Sequence, residues 1–181
     1  LNDETQTKQI ENMISNNVDI IMVDPITPDG SGIALTNAVE AGIPVIIYDG
    51  YWTDGEEKAV TTVTWDQKAT GTMVGEYFVN YVKENNGGKC RVVELTNAVS
   101  THCQERFVGL HEVIDAANAD GCEIEILNKY DSQGNRETAY NATYAIDEPY
   151  DYIIPDVDNG AMGAVAARQA VGNTDVRAFS L

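Results

Sequence analysis

The chain has 181 residues, of which 43% are hydrophobic, so it is long enough to bury a core as one domain or as two small ones. Its 29 acidic residues against 11 basic ones give a formal net charge of -18, which excludes a surface that attracts nucleic acid or anionic lipid. No apolar run approaches the length that spans a bilayer, so we predict no direct membrane insertion.

The first part of the chain predicts a helix followed by a βαβ unit. Residues 4–16 have the apolar spacing of an amphipathic helix. Two branched apolar runs, residues 20–23 and 45–48, predict parallel strands buried on both faces. The segment between them has helical spacing and ends at Gly42, which predicts a right-handed crossover helix. The β-branched residues 60–64 predict a third strand.

The rest of the chain alternates helices and strands. A long helix is predicted from Gln67 to about Asn85, and a loop is predicted at residues 130–135. The further strands are predicted at residues 90–95, 122–127, 152–154 and 176–179, and the further helices at 104–119, 136–146 and 160–171. This pattern describes an α/β protein with two doubly wound parallel-sheet lobes. The lobes are expected at residues 1–66 and 67–181, the first of them incomplete.

Polar residues end most of the predicted strands. Open parallel sheets bind their ligands beyond the carboxyl ends of the strands. Any one of these residues can be explained as a helix cap or a turn former. As a set they would suit a neutral polyhydroxyl ligand, whose hydroxyls donate to carboxylates. The set comprises Asp24, Asp49, Asp66, Thr96, Asn97, Asp131, Asp156, Asp158 and Asn159. Nearby aromatic residues, Tyr51, Trp52 and Trp65, would either stack on a sugar or pack in a core.

Two short motifs permit an enzymatic interpretation, and each has a simpler one. The strand that ends in Asp156-x-Asp158 resembles a phosphatase motif with Asp156 as the nucleophile, but Gly160 stands where that motif has Thr or Val. Ser100 lies near His102 with no third group to orient them, so a helix-capping serine is the simpler interpretation. Neither motif by itself therefore predicts an enzyme.

The three cysteines, Cys90, Cys103 and Cys122, lack the paired spacing of a zinc site, so no metal is predicted. They fit one disulfide plus a free thiol in an oxidising compartment, or three buried thiols in a reducing one. Cys90 and Cys122 open consecutive strands, which are usually neighbours. We expect these two to lie close together, and to be bonded if the protein is exported. Cys103 should then be free, at a helix start that faces the ligand cleft.

The order of several further motifs resembles the ribose-type periplasmic sugar-binding proteins. Residues 9–25 (QIENMISNNVDIIMVDP) and 37–49 (NAVEAGIPVIIYD) resemble segments of that family's first lobe. Asp66 with Gly71 resembles the segment where the family's chain enters its second lobe. The remaining matches, in the family's order, are Gly87-Gly88-Lys89, Val92 to Leu95, Glu105-Arg106 with Gly109, and residues 158–164 (DNGAMGA).

This resemblance implies the type I periplasmic-binding fold, whose two lobes close on a sugar without catalysis. It implies an extracytoplasmic, monomeric protein that needs no cofactor and delivers its sugar to the membrane subunits of an ABC importer. It also implies that both ends of the sequence are truncated, because the family's first strand and helix and its final return to the first lobe are absent. The effector domain of a sugar-responsive transcription regulator and the sensing domain of a signalling receptor are alternatives.

At the ligand positions the resemblance is uneven. Asp49 matches a sugar-binding aspartate of the family. Gly50, Gln104 and Val157 stand where the family has two arginines and an asparagine, and Asp156 is adjacent to the last of them. Fewer fixed donors argue against ribose as the ligand but not against a sugar. The candidate ligand-binding residues are Tyr48, Asp49, Trp65, Gln104, Asp131 and Asp156.

Overall fold

The computed structural model describes residues 2–181, which divide into two compact units. One unit ends at Trp65 and the other begins at Asp66, one residue before the boundary expected from the sequence. Asp66 belongs with the second unit because its carboxylate accepts a hydrogen bond from the Ala69 amide (2.8 Å) and caps the helix that follows.

The first unit contains a three-stranded parallel sheet in the order β1-β2-β3. Its elements are α1 (Asp3–Ser15), β1 (Ile21–Val23), α2 (Gly32–Glu40), β2 (Val45–Tyr48), a 3-10 helix (Glu56–Lys58) and β3 (Thr61–Val63). α1 begins behind Asn2, whose side chain accepts a hydrogen bond from the Thr5 amide (2.9 Å). The central strand, β2, has the same bounds as the apolar run that predicted it.

The strands of this unit are covered on one face, which corrects the expectation that they are buried on both. Ile21 and Ile47 are 1% and 0% exposed, in the core that α1 and α2 form with the sheet. Met22 and Val63 lie on the opposite face and are each 60% exposed. Both helices of the unit pack on the same side, so the second apolar face of these strands has no helix from residues 2–65 against it.

The second unit contains a four-stranded parallel sheet in the order β5-β4-β6-β7. Its elements are α3 (Gln67–Asn86), β4 (Lys89–Thr96), α4 (Thr101–Ala119), β5 (Glu123–Asp131), α5 (Arg136–Tyr144), β6 (Tyr152–Pro155), α6 (Asp158–Ala170) and β7 (Arg177–Ala178). α3 and α4 pack on one face of this sheet, and α5 and α6 pack on the other. The doubly wound arrangement predicted for this part of the chain is therefore confirmed.

Some predicted boundaries in the second unit were wrong. β5 continues through Tyr130 to Asp131, where a loop was predicted, because it pairs along the whole of β4. β6 includes Pro155, which donates no hydrogen bond but lies at the strand's last position. β7 is only two residues long, shorter than its apolar pattern suggested.

The backbones of α3 and α4 touch where they cross. A Cβ at Gly71 would lie 1.8 Å from the carbonyl oxygen of Arg106, and one at Gly109 would lie 2.0 Å from that of Lys68. Glycine at both positions therefore permits main-chain contact between the helices. α3 is a helix of 20 residues, yet within residues 2–181 no helix is both long and apolar enough to cross a bilayer.

The pairing of β4 with β5 contains a register shift. Val92 pairs with Ile126, but the next residue, Val93, pairs with Asn128. Leu127 is thus an extra residue in β5 and has no partner in the ladder, which is the definition of a β-bulge. Every pair beyond this point is displaced by one residue relative to the pairs before it.

Beyond the shift, Glu94 in β4 lies opposite Lys129 in β5. Glu94 is fully buried. The Lys129 Nζ lies 3.0 Å from its Oε2, and the His111 Nε2 on α4 lies 2.6 Å from its Oε1. A buried carboxylate requires such partners, because the desolvation of an unpaired charge costs several kcal/mol.

All three cysteines are free and buried. Cys90 lies in β4 and Cys122 directly precedes β5, so they are on neighbouring strands as predicted. The register pairs Cys90 with Ile124, however, and so places Cys122 two residues further back. The diagonal Cα separation is then roughly 8 Å, beyond the disulfide range of about 4.4 to 6.8 Å. Burial, together with the nearby Asp151 and Cys122, raises the pKa of the Cys90 thiol to about 12.

Candidate functional site

Asp49 follows β2 and holds a left-handed backbone conformation. Its φ is 58°, a value that aspartate adopts more readily than most residues. Its N–H donates to the Val63 carbonyl oxygen (2.9 Å), and its own carbonyl oxygen accepts from the Thr64 hydroxyl (3.4 Å). The last residue of β3 and the residue after it therefore fix this turn, and the half-buried side chain of Asp49 projects from a rigid backbone.

Gly50 allows the loop after β1 to pack directly against this turn. A Cβ at Gly50 would lie 2.6 Å from Pro25 Cδ and 2.7 Å from Asp24 Oδ1. Since no side chain fits there, glycine is required by the close approach of Asp24 and Pro25. The two carboxylates that end neighbouring strands, Asp24 and Asp49, are therefore located at the same edge of the sheet.

Gln6 on α1 holds the loop between β1 and α2, a role that the sequence analysis missed. Its Nε2 donates to the Asp24 carbonyl oxygen (2.7 Å), and its Oε1 accepts from the Ile26 amide (3.2 Å) and the Ser31 hydroxyl (3.1 Å). These partners are 18 to 25 residues away along the chain, so no local pattern indicated them. One amide group thus fixes both ends of the loop.

The aromatic candidates of the first unit differ in accessibility. Tyr48 and Trp65 are 44% and 55% exposed, so their rings are available for stacking. Trp52 is 1% exposed and belongs to the core of the first unit. Tyr48 also lines a surface pocket of about 270 Å³ together with Gln6 and Asp24.

In the second unit, Asp156 follows β6 and is completely buried. The Ser132 hydroxyl donates to its Oδ1 (3.3 Å), and Cys103 lies near the same carboxyl group. Burial raises the pKa of Asp156, and the neighbouring Cys103, Ser132 and backbone amides offset part of the rise. The structure therefore places this carboxyl group beneath the surface, where it has no route to a phosphate ester, contrary to the phosphatase interpretation.

Cys103 does not face a cleft as expected. It is 5% exposed, and burial together with the nearby Asp156 carboxylate raises the pKa of its thiol. The amide of Cys103 donates to the Ser100 hydroxyl (3.4 Å), which confirms Ser100 as the cap of α4.

Gln104 and Asp131 meet at the loop after β4. The Gln104 Nε2 donates to the Ala98 carbonyl oxygen (2.5 Å), and Asp131 Oδ1 accepts from the Ala98 amide (3.4 Å). The Gln133 amide also donates to Asp131 Oδ1 (3.0 Å). Both candidate side chains are exposed. The structure thus brings together two predicted site residues that are distant in sequence.

Arg106 ties three segments of the second unit together at the carboxyl edge of the sheet. Its Nε donates to Gln67 Oε1 (2.7 Å), at the first residue of α3. Its Nη1 donates to the backbone carbonyl oxygens of Asp156 and Leu181, at 3.3 Å each. Arg106 belongs to the Glu-Arg pair noted in the sequence, but nothing in that pattern indicated these backbone contacts.

The sequence of residues 1–179 matches a family model described as a periplasmic binding protein domain. The chain is 34% identical over 117 residues to the galactofuranose-binding protein YtfQ of Escherichia coli (strain K12), covering 63% of this chain and 36% of that protein. It is 24% identical over 181 residues to the ribose import binding protein RbsB of the same organism, covering 97% of this chain and 57% of that protein. The matched part of the chain thus corresponds to about a third of YtfQ and a little over half of RbsB.

Among solved structures, the fold is similar to the periplasmic binding protein component of the arabinose ABC transporter from Shewanella sp. ANA-3, which contains α- and β-L-arabinofuranose. The TM-score is 0.84 at 23% sequence identity, covering 98% of this chain and 59% of that chain. At this identity the likeness establishes the fold. The type I periplasmic-binding fold expected from the sequence is confirmed.

Proposed function

Because this chain belongs to the family of periplasmic binding protein domains, we propose that it captures a sugar outside the cytoplasm for delivery to an ABC importer. The observation that carries the proposal is the extent of the family match, which includes the strands and helices of both units. The relatives supply the ligand class, since their names specify galactofuranose, ribose and arabinofuranose.

Carboxylates at the strand ends support a neutral, hydroxyl-rich ligand. Asp49 in the first unit and Asp131 in the second are both positioned by backbone hydrogen bonds. A carboxylate accepts hydrogen bonds from several hydroxyls at once, which suits a sugar. The exposed rings of Tyr48 and Trp65 offer flat apolar surfaces for the C–H face of a sugar ring.

Gln104 and Asp156 have different parts in this proposal. The Gln104 amide nitrogen is engaged by Ala98, which leaves the amide oxygen of this exposed side chain as an acceptor for a sugar hydroxyl. Asp156 is buried, and we assign it a supporting role: it accepts a hydrogen bond from Ser132 and lies near Cys103, beneath the turns that carry the ligand contacts.

Capture and release of an unmodified sugar require binding and a conformational change, but no bond is made or broken. We therefore assign no catalytic residue and no cofactor to the protein. In this proposal it acts as a monomer, and its partner is the membrane part of the importer, which recognises the ligand-bound conformation.

Isothermal titration calorimetry of the chain with D-galactose, D-ribose and L-arabinose tests the proposal. Saturable binding of at least one of these sugars is expected. Far-UV circular dichroism and a cooperative thermal transition establish that the titrated chain is folded. A folded chain that binds none of the three sugars would contradict the proposal.

A further inference from the structure

A second pocket of the first unit contains none of the residues to which sugar binding is assigned. It has a volume of about 250 Å³ and lies between the start of α2 and the loop after β2. Gly32 and Ile33 line it from α2, and Trp52 and Asp54 line it from the loop. Asp29, which precedes α2, also lines the pocket.

The indole N–H of Trp52 is a donor on a side chain that lines this pocket. Trp52 is 1% exposed, and its Nε1 lies 3.3 Å from the position of a Cβ on Gly32, a residue of the pocket wall. Within residues 2–181 this N–H has no hydrogen-bond acceptor. Buried tryptophans usually have a partner for this group. The pocket therefore presents a donor whose acceptor would come from another molecule.

The ring of Trp52 is fixed in this orientation. A Cβ at Gly55 would lie 2.2 Å from Cε2 and Cζ2 of the ring, so the backbone of the loop packs directly against it. Lys58 lies with its Nζ 6.0 Å from the ring centroid. The ring is consequently held in place in the wall of the pocket.

The pocket is also acidic. Asp29 and Asp54 are exposed, and within the described part of the chain neither side chain has an ion-pair or hydrogen-bond partner. Beside them, Ile33 is 82% exposed and offers an apolar surface at the first turn of α2. Two carboxylates, one N–H donor and an aliphatic side chain together match a ligand with a cationic group, a carbonyl oxygen and an apolar stem.

We propose that this pocket binds an arginine side chain of a partner polypeptide. The guanidinium group contacts the carboxylates of Asp29 and Asp54, the aliphatic stem packs on Ile33, and the carbonyl oxygen of the arginine accepts from Trp52 Nε1. A planar guanidinium suits carboxylates because it donates two parallel hydrogen bonds. The net charge of -18 favours the approach of a basic segment.

The indole signal of Trp52 provides a direct test. The chain has two tryptophans, so a Trp65→Phe variant leaves one indole N–H signal in a ¹H–¹⁵N spectrum. N-acetyl-arginine N-methylamide should shift that signal saturably. N-acetyl-norleucine N-methylamide has the same carbonyl groups without the charge, and should shift it far less.

Matched variants distinguish binding of the arginine probe in the pocket from general attraction of a cation to the acidic protein. Asp54→Asn should weaken binding of the arginine probe about two- to fivefold, the effect of one exposed ion pair. Asp19→Asn removes an exposed carboxylate outside the pocket and should leave the affinity unchanged. The proposal is overturned if the arginine probe gives no saturable shift, if the norleucine probe binds equally well, or if the two variants have the same effect.

Discussion

Asp49 combines a left-handed backbone with a half-buried carboxylate, and a substitution can separate the two. Asparagine also tolerates the left-handed region, so Asp49→Asn keeps the turn and removes the charge. The loss of one charge-assisted hydrogen bond, roughly 1.5–3 kcal/mol, should lower the affinity for the bound sugar about ten- to a hundredfold. Calorimetry measures the affinity, and thermal melting should show no change.

The matched control for this prediction is Asp19→Asn, which removes an exposed carboxylate elsewhere in the first unit. It should leave the affinity for the sugar unaltered. If Asp49→Asn instead lowers the melting temperature while the affinity stays the same, Asp49 serves only to shape the turn after β2.

Asp156 makes stability depend on pH in the direction opposite to that of a salt-bridged carboxylate. Burial raises its pKa in the folded state above the ordinary value of 3.8. The folded protein therefore keeps the proton over a pH range in which the unfolded chain has released it. The stabilisation is complete below the unfolded pKa and is lost as the pH rises through the folded pKa.

Asp156→Asn cannot ionise, so the variant should gain stability relative to the parent protein as the pH rises. The difference in melting temperature, variant minus parent, should be more positive at about pH 7 than at about pH 4. Circular dichroism melts at both values measure it, and Asp19→Asn serves as the control. A difference that is constant, or larger at low pH, is the contrary result.

The packing of α3 against α4 depends on the contact between their main chains. In Gly71→Ala the new methyl group would lie 1.8 Å from the Arg106 carbonyl oxygen, so the helices must separate. Overpacking of this kind costs about 1–3 kcal/mol or more, and we expect the upper part of that range because the obstacle is backbone. Chemical denaturation measures the change in the free energy of unfolding.

Gly75→Ala is a matched control on the same helix. The new methyl group would lie 3.1 Å from Val113 Cβ and 3.3 Å from Leu110 Cα, which requires shifts of only a few tenths of an ångström. Both substitutions gain the same helix propensity, up to about 1 kcal/mol. Equal free energies of unfolding for the two variants would show that the contact at Gly71 is not tight in solution.

Sequence patterns predicted the positions of helices and strands better than they predicted strand pairing and side-chain burial. The bounds of β2 followed from one apolar run, since hydrophobicity and turn residues are local signals. The end of β5 did not, because residues through Asp131 are held in the strand by pairing with β4. The position of Asp49 at a strand end was likewise a local inference. The burial of Asp156 was not a local inference, since it depends on Cys103 in α4 and on Ser132 in the loop after β5.

For the whole molecule, the net charge of -18 is a source of instability. Repulsion among exposed carboxylates weakens the compact state, and salt screens it over a Debye length of about 10 Å at 0.1 M. The melting temperature should therefore rise as sodium chloride is added from low ionic strength. Potassium chloride should give the same rise if screening is the cause. A melting temperature that falls with either salt would mean that favourable ion pairs outweigh the repulsion.

The bulge in β5 affects how the chain tolerates changes in its length. Ile126 and Asn128 already lie opposite consecutive residues of β4, and Leu127 between them is paired with neither. Deletion of Leu127 would join two residues whose partners are adjacent. The ladder on both sides would keep its register, with Lys129 still beside Glu94.

Deletion of a paired residue of the sheet would instead shift the register of the strand. Val93 pairs with Asn128 on one side and with Ile153 on the other, so its removal would displace Glu94 from both neighbouring strands. The Leu127 deletion should give a folded chain with a cooperative melt, and the Val93 deletion should not, as circular dichroism can establish. The edge strand β5 is thus a place where one residue can be lost without a change in strand pairing.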